Sequence, residues 1–213
     1  MSGWEKQWSA NGGLPVGAAF DAAQVEPALQ DLIDLGVLPV GETLVPGCGR
    51  GYAVAALAEG GQRHVLGIDI APTAVKAARA FLHEGGHNGE VIEADFFESF
   101  PSERENFFSL GYDCTFLCAI PPEMRAAWAK AWHKLLKPGG ELVTLVFPLR
   151  PGGPDPADSE PGSGPPFTLS LKLVRNLLEP LGFELIEAKD VAPDKVARGA
   201  RCPHEIIARW MRR

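Results

Sequence analysis

Short runs of apolar residues alternate along this chain with longer stretches in which apolar residues recur every three or four positions. The first pattern is typical of strands buried on both faces, and the second is typical of amphipathic helices. We predict seven strands, at residues 43–45, 64–69, 90–94, 112–119, 141–147, 183–189 and 204–209. After a short helix near the N-terminus, further helices are predicted at residues 25–35, 52–59, 72–83, 121–136 and 169–178.

Strands that alternate with helices indicate an α/β, Rossmann-like fold, in which helices cover both faces of a mostly parallel seven-stranded sheet. Because the chain has 213 residues and no internal repeat, we expect a single domain over residues 1–213. Residues 150–166 differ in composition, since proline, glycine, serine and aspartate dominate them. We predict a flexible loop there.

Composition narrows the range of partners. The net charge of −7 leaves no basic surface for nucleic acid or an anionic membrane. The four cysteines, Cys48, Cys114, Cys118 and Cys202, lack the paired spacing of a metal site, so reduced thiols and no metal are expected. We expect no secretion signal, because the first residues lack a basic region followed by an apolar stretch, and no apolar run reaches about 18 residues. We therefore expect a cytoplasmic protein.

A glycine-rich turn, Pro46-Gly47-Cys48-Gly49-Arg50-Gly51, follows the first predicted strand. Glycines let the backbone turn sharply and approach a ligand at the carboxyl edge of an open α/β sheet. Asp69 lies 22 residues after Gly47, where a carboxylate can accept hydrogen bonds from both ribose hydroxyls of an adenosine. Tyr52 stands where a dinucleotide motif, G-x-G-x-x-G, has its third glycine. The pattern favours a nucleoside cofactor without phosphates, with an NAD-dependent enzyme and a purely structural turn as alternatives.

A second acid ends the third predicted strand. Asp95 is followed there by Phe96, so a carboxylate and an aromatic ring are adjacent. The carboxylate can accept a hydrogen bond from an adenine amino group, and the ring can cover the base. The alternative is an aspartate that caps the following turn.

The sequence His83-Glu84-Gly85-Gly86-His87 matches the zinc-protease motif H-E-x-x-H. Both histidines of that motif must lie on one continuous helix to reach the metal. Adjacent glycines cost about 1 kcal/mol each within a helix. We therefore predict the end of a helix here rather than a zinc site.

Several motifs in order along the chain resemble the thiopurine methyltransferase superfamily, and within it the halide and thiol methyltransferase branch. They are Trp4-Glu5-Lys6, Val45-Pro46-Gly47-Cys48-Gly49-Arg50-Gly51-Tyr52, Gly67-Ile68-Asp69-Ile70, Phe116-Leu117-Cys118-Ala119-Ile120-Pro121-Pro122-Glu123, Leu135-Leu136-Lys137-Pro138-Gly139-Gly140 and Gly164-Pro165-Pro166-Phe167. The resemblance covers nearly the whole chain. It implies a class I methyltransferase fold with S-adenosyl-L-methionine as the methyl donor.

The resemblance also implies roles for individual residues. The N-terminal segment, residues 1–30, is expected to cover the cofactor, where an aromatic face would attract its sulfonium by about 0.5–2 kcal/mol. By position, Gly47 matches a contact to the methionine portion, Asp69 the ribose contact, and Asp95 and Phe96 the adenine contacts. The full set of cofactor positions is Trp4, Trp8, Gly47, Gly49, Gly51, Asp69, Ile70, Asp95, Phe96 and Cys114.

This chain departs from the branch at two places near the reaction centre. The branch usually has Pro-Trp-Asp in the N-terminal segment, whereas this chain has Pro15-Val16-Gly17, and its nearest aromatic–acid pair is Phe20-Asp21. Cys114 stands where that branch usually has a tyrosine and the thiopurine branch an arginine. The small side chain indicates a roomier, less polar pocket for a bulkier substrate.

We expect a methyltransferase that moves a methyl group in line to a small thiol or hydrosulfide, with halide methylation as a side activity. A thiolate or a halide needs no dedicated base, and the sequence offers no histidine–carboxylate pair placed to act as one. The candidate pocket residues are Cys114, Cys118, Phe147 and Phe167. The alternatives are a regulatory S-adenosylmethionine-binding protein without catalysis and a methyltransferase for a bulkier thiol metabolite. We expect a monomer that acts on a small molecule, with no nucleic-acid or membrane partner.

Overall fold

The centre of the protein is a mostly parallel sheet. The computed structural model describes residues 2–18, 20–100, 102–149, 164–197 and 204–213. The strands in these residues are β1 (Gly41–Pro46), β2 (Arg63–Asp69), β3 (Glu90–Glu93), β4 (Phe108–Cys114), β5 (Leu136–Val146), β6 (Phe183–Asp190) and β7 (Ile206–Arg212). They form one sheet in the order β3-β2-β1-β4-β5-β7-β6. Strand β7 runs antiparallel to both of its neighbours, and the other pairs are parallel.

Helices lie between most of these strands. They are α1 (Gly3–Ser9), α2 (Pro27–Asp34), α3 (Tyr52–Ala58), α4 (Pro72–Gly85), α5 (Arg125–Leu135) and α6 (Leu171–Leu178). This alternation confirms the α/β, Rossmann-like fold expected from the sequence. None of the α-helices in the described ranges is long and apolar enough to cross a membrane.

The order of the strands places a crevice at the middle of the sheet. From β1 the chain continues to β2 and β3 on one side, and it then crosses to β4 on the other side. Open α/β sheets bind ligands at the carboxyl ends of the strands that flank such a switch point. The glycine-rich turn after β1, Asp69 at the end of β2 and Cys114 at the end of β4 all lie at this edge.

Strand β4 ends earlier than predicted. The sequence predicts a strand at residues 112–119, whereas β4 spans Phe108–Cys114. Thr115 breaks the strand with a left-handed backbone, at a φ of 66°. Leu117 and Cys118 are nevertheless 2% and 3% exposed. An apolar run thus marks burial here rather than extended backbone, which explains the error.

Helix α5 packs tightly on β4. Trp128 and Trp132 of this helix are fully buried. The indole Nε1 of Trp128 donates a 2.7 Å hydrogen bond to Oδ2 of Asp113. Gly111 leaves room for the other indole, since a Cβ at this position would lie 2.4 Å from Cζ3 of Trp132. This fit fixes the helix next to the strand that ends at the crevice.

The H-E-x-x-H sequence does not lie on one helix. Helix α4 ends at Gly85, and Gly86 follows in the left-handed conformation with a φ of 62°. His83 is therefore in the last turn of the helix, whereas His87 lies beyond it and stacks on Phe81. The two imidazoles do not share a helical face.

Candidate active site

A cavity of about 680 Å³ opens at the carboxyl edge of the sheet. This volume lies within the roughly 300–1,000 Å³ that small-molecule sites occupy. Parts of the N-terminal segment, the glycine-rich turn, the ends of β2 to β4 and the residues near β5 line it. The lining includes these residues proposed from the sequence: Trp4, Trp8, Gly47, Gly49, Asp69, Ile70, Asp95, Phe96, Cys118 and Phe147.

The three glycines of the turn have different surroundings. Gly47 and Gly49 line the cavity with φ values of 57° and 52°, a backbone that other residues rarely adopt. A Cβ at Gly47 would also lie 2.8 Å from the ring of Phe116. Gly51 is not part of the lining. A Cβ there would meet Cβ of Ala78 at 3.3 Å, so Gly51 serves the contact between α3 and α4 rather than the cavity.

Asp69 connects the glycine-rich turn to the start of α4. Its Oδ2 accepts a hydrogen bond from the amide of Gly49 at 3.1 Å, and its Oδ1 accepts one from the amide of Ala71 at 2.9 Å. Burial raises the pKa of this carboxyl, and the two amide hydrogen bonds partly offset that effect. The side chain thus presents a buried acceptor at the cavity, beside the exposed Ile70.

Cys48 lies within the turn and also lines the cavity. Burial, together with the negative charge of Asp69, raises the pKa of its thiol well above the ordinary value. Since the thiolate is the nucleophilic form, Cys48 remains a neutral side chain that packs beneath the turn.

A cluster of aromatic rings includes the two residues that follow Asp95, beyond the end of β3. Phe96 is buried and packs edge-on against Phe97 and Phe116, with ring centroids 5.3 and 5.1 Å apart. The Asp95 carboxylate accepts a hydrogen bond from the amide of Phe97 at 2.8 Å. It therefore caps the turn, as the structural alternative predicts, and it also lines the cavity. Asp95 can therefore cap the turn and still present its carboxylate to the cavity.

The N-terminal segment lies over the cavity and contacts α4. The rings of Trp4 and Trp8 each pack against Phe20, at centroid distances of 5.5 and 5.7 Å. The buried carboxylate of Glu5 accepts hydrogen bonds from Thr73, at 3.0 Å from the amide and 2.6 Å from the hydroxyl. A carboxylate at the positive end of a helix is a favourable arrangement. Glu5 therefore fastens α1 to the start of α4.

A second attachment joins this segment to the glycine-rich turn. Nε of Arg50 donates to Oδ2 of Asp21 at 2.8 Å, and its Nη2 donates to the carbonyl of Leu14 at the same distance. The Phe20-Asp21 pair thus reaches the cavity, whereas Val16 is 62% exposed and outside the lining. Sequence reasoning noted this pair without assigning it a role, and the pairing with Arg50 carries no sequence signal.

The surroundings of Cys114, at the end of β4, differ from those expected from the sequence. This cysteine is 9% exposed but does not line the cavity, because the side chain of Glu26 lies in front of it. The thiol of Cys114 and the hydroxyl of Tyr112 each donate to a carboxylate oxygen of Glu26 at 3.1 Å. The small cysteine therefore does not open a roomier pocket. The space is filled by a carboxylate that sequence reasoning missed.

The opposite wall of this end of the cavity is apolar. Cys118 and Phe147 are 3% exposed and line it, together with Ile120, Met124, Pro165 and Pro166. Phe167 is not in the lining. Its amide donates a 2.7 Å hydrogen bond to the carbonyl of Cys118, so it supports the wall from behind. Of the loop predicted at residues 150–166, residues 150–163 lie outside the described residues.

Comparison with known proteins assigns the family. The family model described as thiopurine S-methyltransferase (TPMT) matches residues 1–213. The chain belongs to this family. The probable thiol methyltransferase 2 of Arabidopsis thaliana is 40% identical to it over 210 residues, which are 98% of this chain and 84% of that protein. Thiocyanate methyltransferase 1 of Brassica oleracea is 36% identical over the same shares.

Solved structures show the same fold. The magnesium protoporphyrin IX methyltransferase of Synechocystis PCC 6803, crystallised with bound S-adenosylmethionine, has a TM-score of 0.65 to this chain. It is 18% identical, and the match covers 88% of this chain and 79% of that one. The family membership makes this protein an S-adenosylmethionine-dependent methyltransferase.

The residues of the cavity suit this cofactor of the thiopurine methyltransferase family. Two glycines with left-handed backbone leave the turn open, Asp69 presents a buried acceptor, and the Trp4–Trp8–Phe20 group supplies aromatic faces for a cation. S-adenosylmethionine supplies an electrophilic methyl group on a positively charged sulfur when it is bound. The protein must orient an acceptor towards that methyl group and exclude water.

Proposed function

We propose that this methyltransferase methylates the sulfur of a small thiol or hydrosulfide by in-line displacement, with halide methylation as a slower side activity. The observation that carries the proposal is the lining near Cys118, Phe147 and Met124, which is apolar and rich in polarizable sulfur. The proposal is also supported by two relatives whose names describe thiol and thiocyanate methyltransferases.

Charge at the cavity argues against a large anionic acceptor. Arg50 is the one basic side chain among the described lining residues, and its guanidinium is paired with Asp21. A large anionic substrate would find no free cation on this lining. Neutral thiols are polarizable and weakly hydrated, so an apolar wall binds them at low desolvation cost.

The chain's contribution to the rate is alignment and exclusion of water. The N-terminal segment covers one side of the cavity, and the segment at Pro165 and Pro166 closes another. Holding two reactants in line can lower a barrier by about 7–11 kcal/mol relative to a bimolecular reaction in water. Such alignment is the role that we propose for the walls of this cavity.

The test is a panel of acceptors with turnover measured as formation of S-adenosylhomocysteine. The panel contains hydrosulfide, a short alkyl thiol, an aryl thiol, thiocyanate and iodide, each at several concentrations. We expect the thiols to have the highest kcat/KM and iodide to be slower by at least tenfold. Absence of turnover on every thiol, while S-adenosylhomocysteine still binds in calorimetry, would contradict the proposal.

A further inference from the structure

Glu26 is a buried carboxylate whose side chain faces strand β4 and the cavity. It is 7% exposed and accepts hydrogen bonds from Tyr112 and Cys114, both at 3.1 Å. Glu26 is also the N-cap residue of α2, yet its side chain makes no capping hydrogen bond to that helix. The contacts with β4, rather than capping of α2, therefore account for the position of this carboxylate.

The strand order puts Glu26 on the acceptor side of the cavity. Asp69, at the end of β2, and Asp95, just after β3, suit the nucleoside of the cofactor and lie on one side of β1. Glu26 contacts β4 on the other side, where Thr115 and Cys118 line the same cavity. A carboxylate at this place faces the space left for the nucleophile.

We propose that Glu26 accepts the proton of the acceptor thiol, and that the site consequently selects neutral thiols over anionic nucleophiles. The inference rests on the proposed thiol methylation and makes it more specific. A buried negative charge repels halide, thiocyanate and hydrosulfide ions, because the low dielectric of a cavity strengthens the repulsion, so hydrosulfide would react here in its neutral form, hydrogen sulfide. A neutral thiol meets no such repulsion and donates its S–H to the carboxylate.

The proton balance of the reaction fits this role. The thiol sulfur forms a bond to the methyl carbon while the bond between that carbon and the donor sulfur breaks, and the electron pair of the broken bond stays on the donor sulfur. The attacking sulfur gains positive character as it is methylated, so its proton becomes acidic enough for a carboxylate to take. Glu26 is then a carboxylic acid, which returns the proton to water. Tyr112 and Cys114 hold the carboxylate during this exchange.

The experiment compares Glu26→Gln with the wild type on a neutral alkyl thiol and on iodide. Glutamine keeps the size and one oxygen acceptor but removes the charge and the proton acceptor. General-base groups contribute about 10²–10⁴-fold to rates. We expect kcat on the thiol to fall by at least tenfold in this variant and kcat/KM on iodide to rise by at least threefold. Glu59→Gln, at an exposed position after α3, is the matched control and should change neither.

Two further measurements distinguish failure of the proposed thiol methylation from failure of the proposed role of Glu26. Calorimetry with S-adenosylhomocysteine shows whether Glu26→Gln keeps the folded cofactor site. The second measurement needs only the wild type, in which iodide should inhibit thiol methylation weakly. Its inhibition constant should be at least tenfold above the KM of the thiol. A wild type inactive on thiols would contradict the proposed function. A wild type active on thiols whose Glu26→Gln variant loses both activities equally, or neither, would overturn the role of Glu26, and so would tight inhibition by iodide.

Discussion

Asp113, within β4, and Glu26, which contacts β4, are both buried carboxylates, but their hydrogen bonds give them different roles. Asp113 is 2% exposed and does not line the cavity. It accepts hydrogen bonds from the amide of Leu117 at 3.0 Å and from the indole of Trp128 at 2.7 Å. These contacts join β4 to α5 and to the loop after the strand. Asp113 is therefore a structural residue, whereas Glu26 faces the cavity.

The protonation of Asp113 makes stability depend on pH. Burial raises its pKa to about 6, although the hydrogen bonds from Leu117 and Trp128 lower it in part. An aspartate in an unfolded chain has a pKa of about 3.9. Because the folded-state pKa is the higher one, the folded protein binds the extra proton between these values. The stabilising effect of this proton is full below about pH 4 and is lost as the pH rises through the folded-state value.

We predict that Asp113→Asn removes this pH dependence. As the pH falls from 7 to 4, the wild type should gain about 2 kcal/mol of unfolding free energy relative to the variant. Denaturant unfolding of both proteins at a series of pH values measures this difference. Asp190→Asn, at an exposed site at the end of β6, is the matched control for the loss of a carboxyl. A pH-independent difference between Asp113→Asn and the wild type would show that the Asp113 carboxyl does not titrate as described.

At the scale of elements, the N-terminal segment is attached to the rest of the protein by a few polar contacts. Trp8, Ala71 and Ala74 form a small apolar cluster that is separate from the main core. Glu5 and Arg50 supply the polar links, to Thr73 and Asp21. This segment can therefore loosen without disturbing the sheet.

We predict that Glu5→Gln weakens binding of S-adenosylhomocysteine by about threefold to tenfold, since the interaction of a buried negative charge with a helix N-terminus is worth up to about 2 kcal/mol. The melting temperature without ligand should change little, because the main core is untouched. Calorimetry and thermal unfolding measure the two effects. Glu59→Gln serves again as the control with unchanged binding. A large loss of melting temperature with unchanged affinity would mean that the segment stabilises the fold rather than the site.

The contact between α5 and β4 leaves no room for a side chain at Gly111. In Gly111→Ala the added Cβ would lie 2.4 Å from the ring of Trp132. Such overpacking costs about 1–3 kcal/mol, which corresponds to roughly 2–12 °C in melting temperature for a chain of this size. Gly3→Ala is the control, because nothing lies within 4 Å of a Cβ there. A melting temperature equal to that of the wild type would show that the indole can move aside freely.

For the whole molecule, ligand binding should tighten the N-terminal segment over the cavity. At about 100 times its dissociation constant, S-adenosylhomocysteine should stabilise the protein by about 2.7 kcal/mol, which is roughly 5–11 °C in melting temperature. Hydrogen exchange should slow most in residues 2–18. Slower exchange confined to the glycine-rich turn would contradict a covering role for this segment.

The sequence by itself determined the fold and the ligand-facing edge of the sheet. Alternation of apolar strands with amphipathic helices is a local property of the chain, so it predicted the order of the elements. The turn at Gly47 and Gly49 and the acid at Asp69 were found for the same reason, since glycine and a strand-end carboxylate are readable within a short stretch. The predicted limits of β4 were wrong because an apolar run indicates burial and does not indicate backbone conformation.

Only the tertiary structure decided the details of the site. Glu26 lies 88 residues before Cys114 in sequence, and Asp21 lies 29 residues before Arg50. Contacts over such separations depend on how the N-terminal segment returns to the sheet, and no local pattern encodes them. The surroundings of Gly51 were likewise not predictable from local sequence, because its neighbour Ala78 belongs to another helix. The sequence thus determined which edge of the sheet binds the cofactor, and the packing of distant segments decided which side chains face the acceptor.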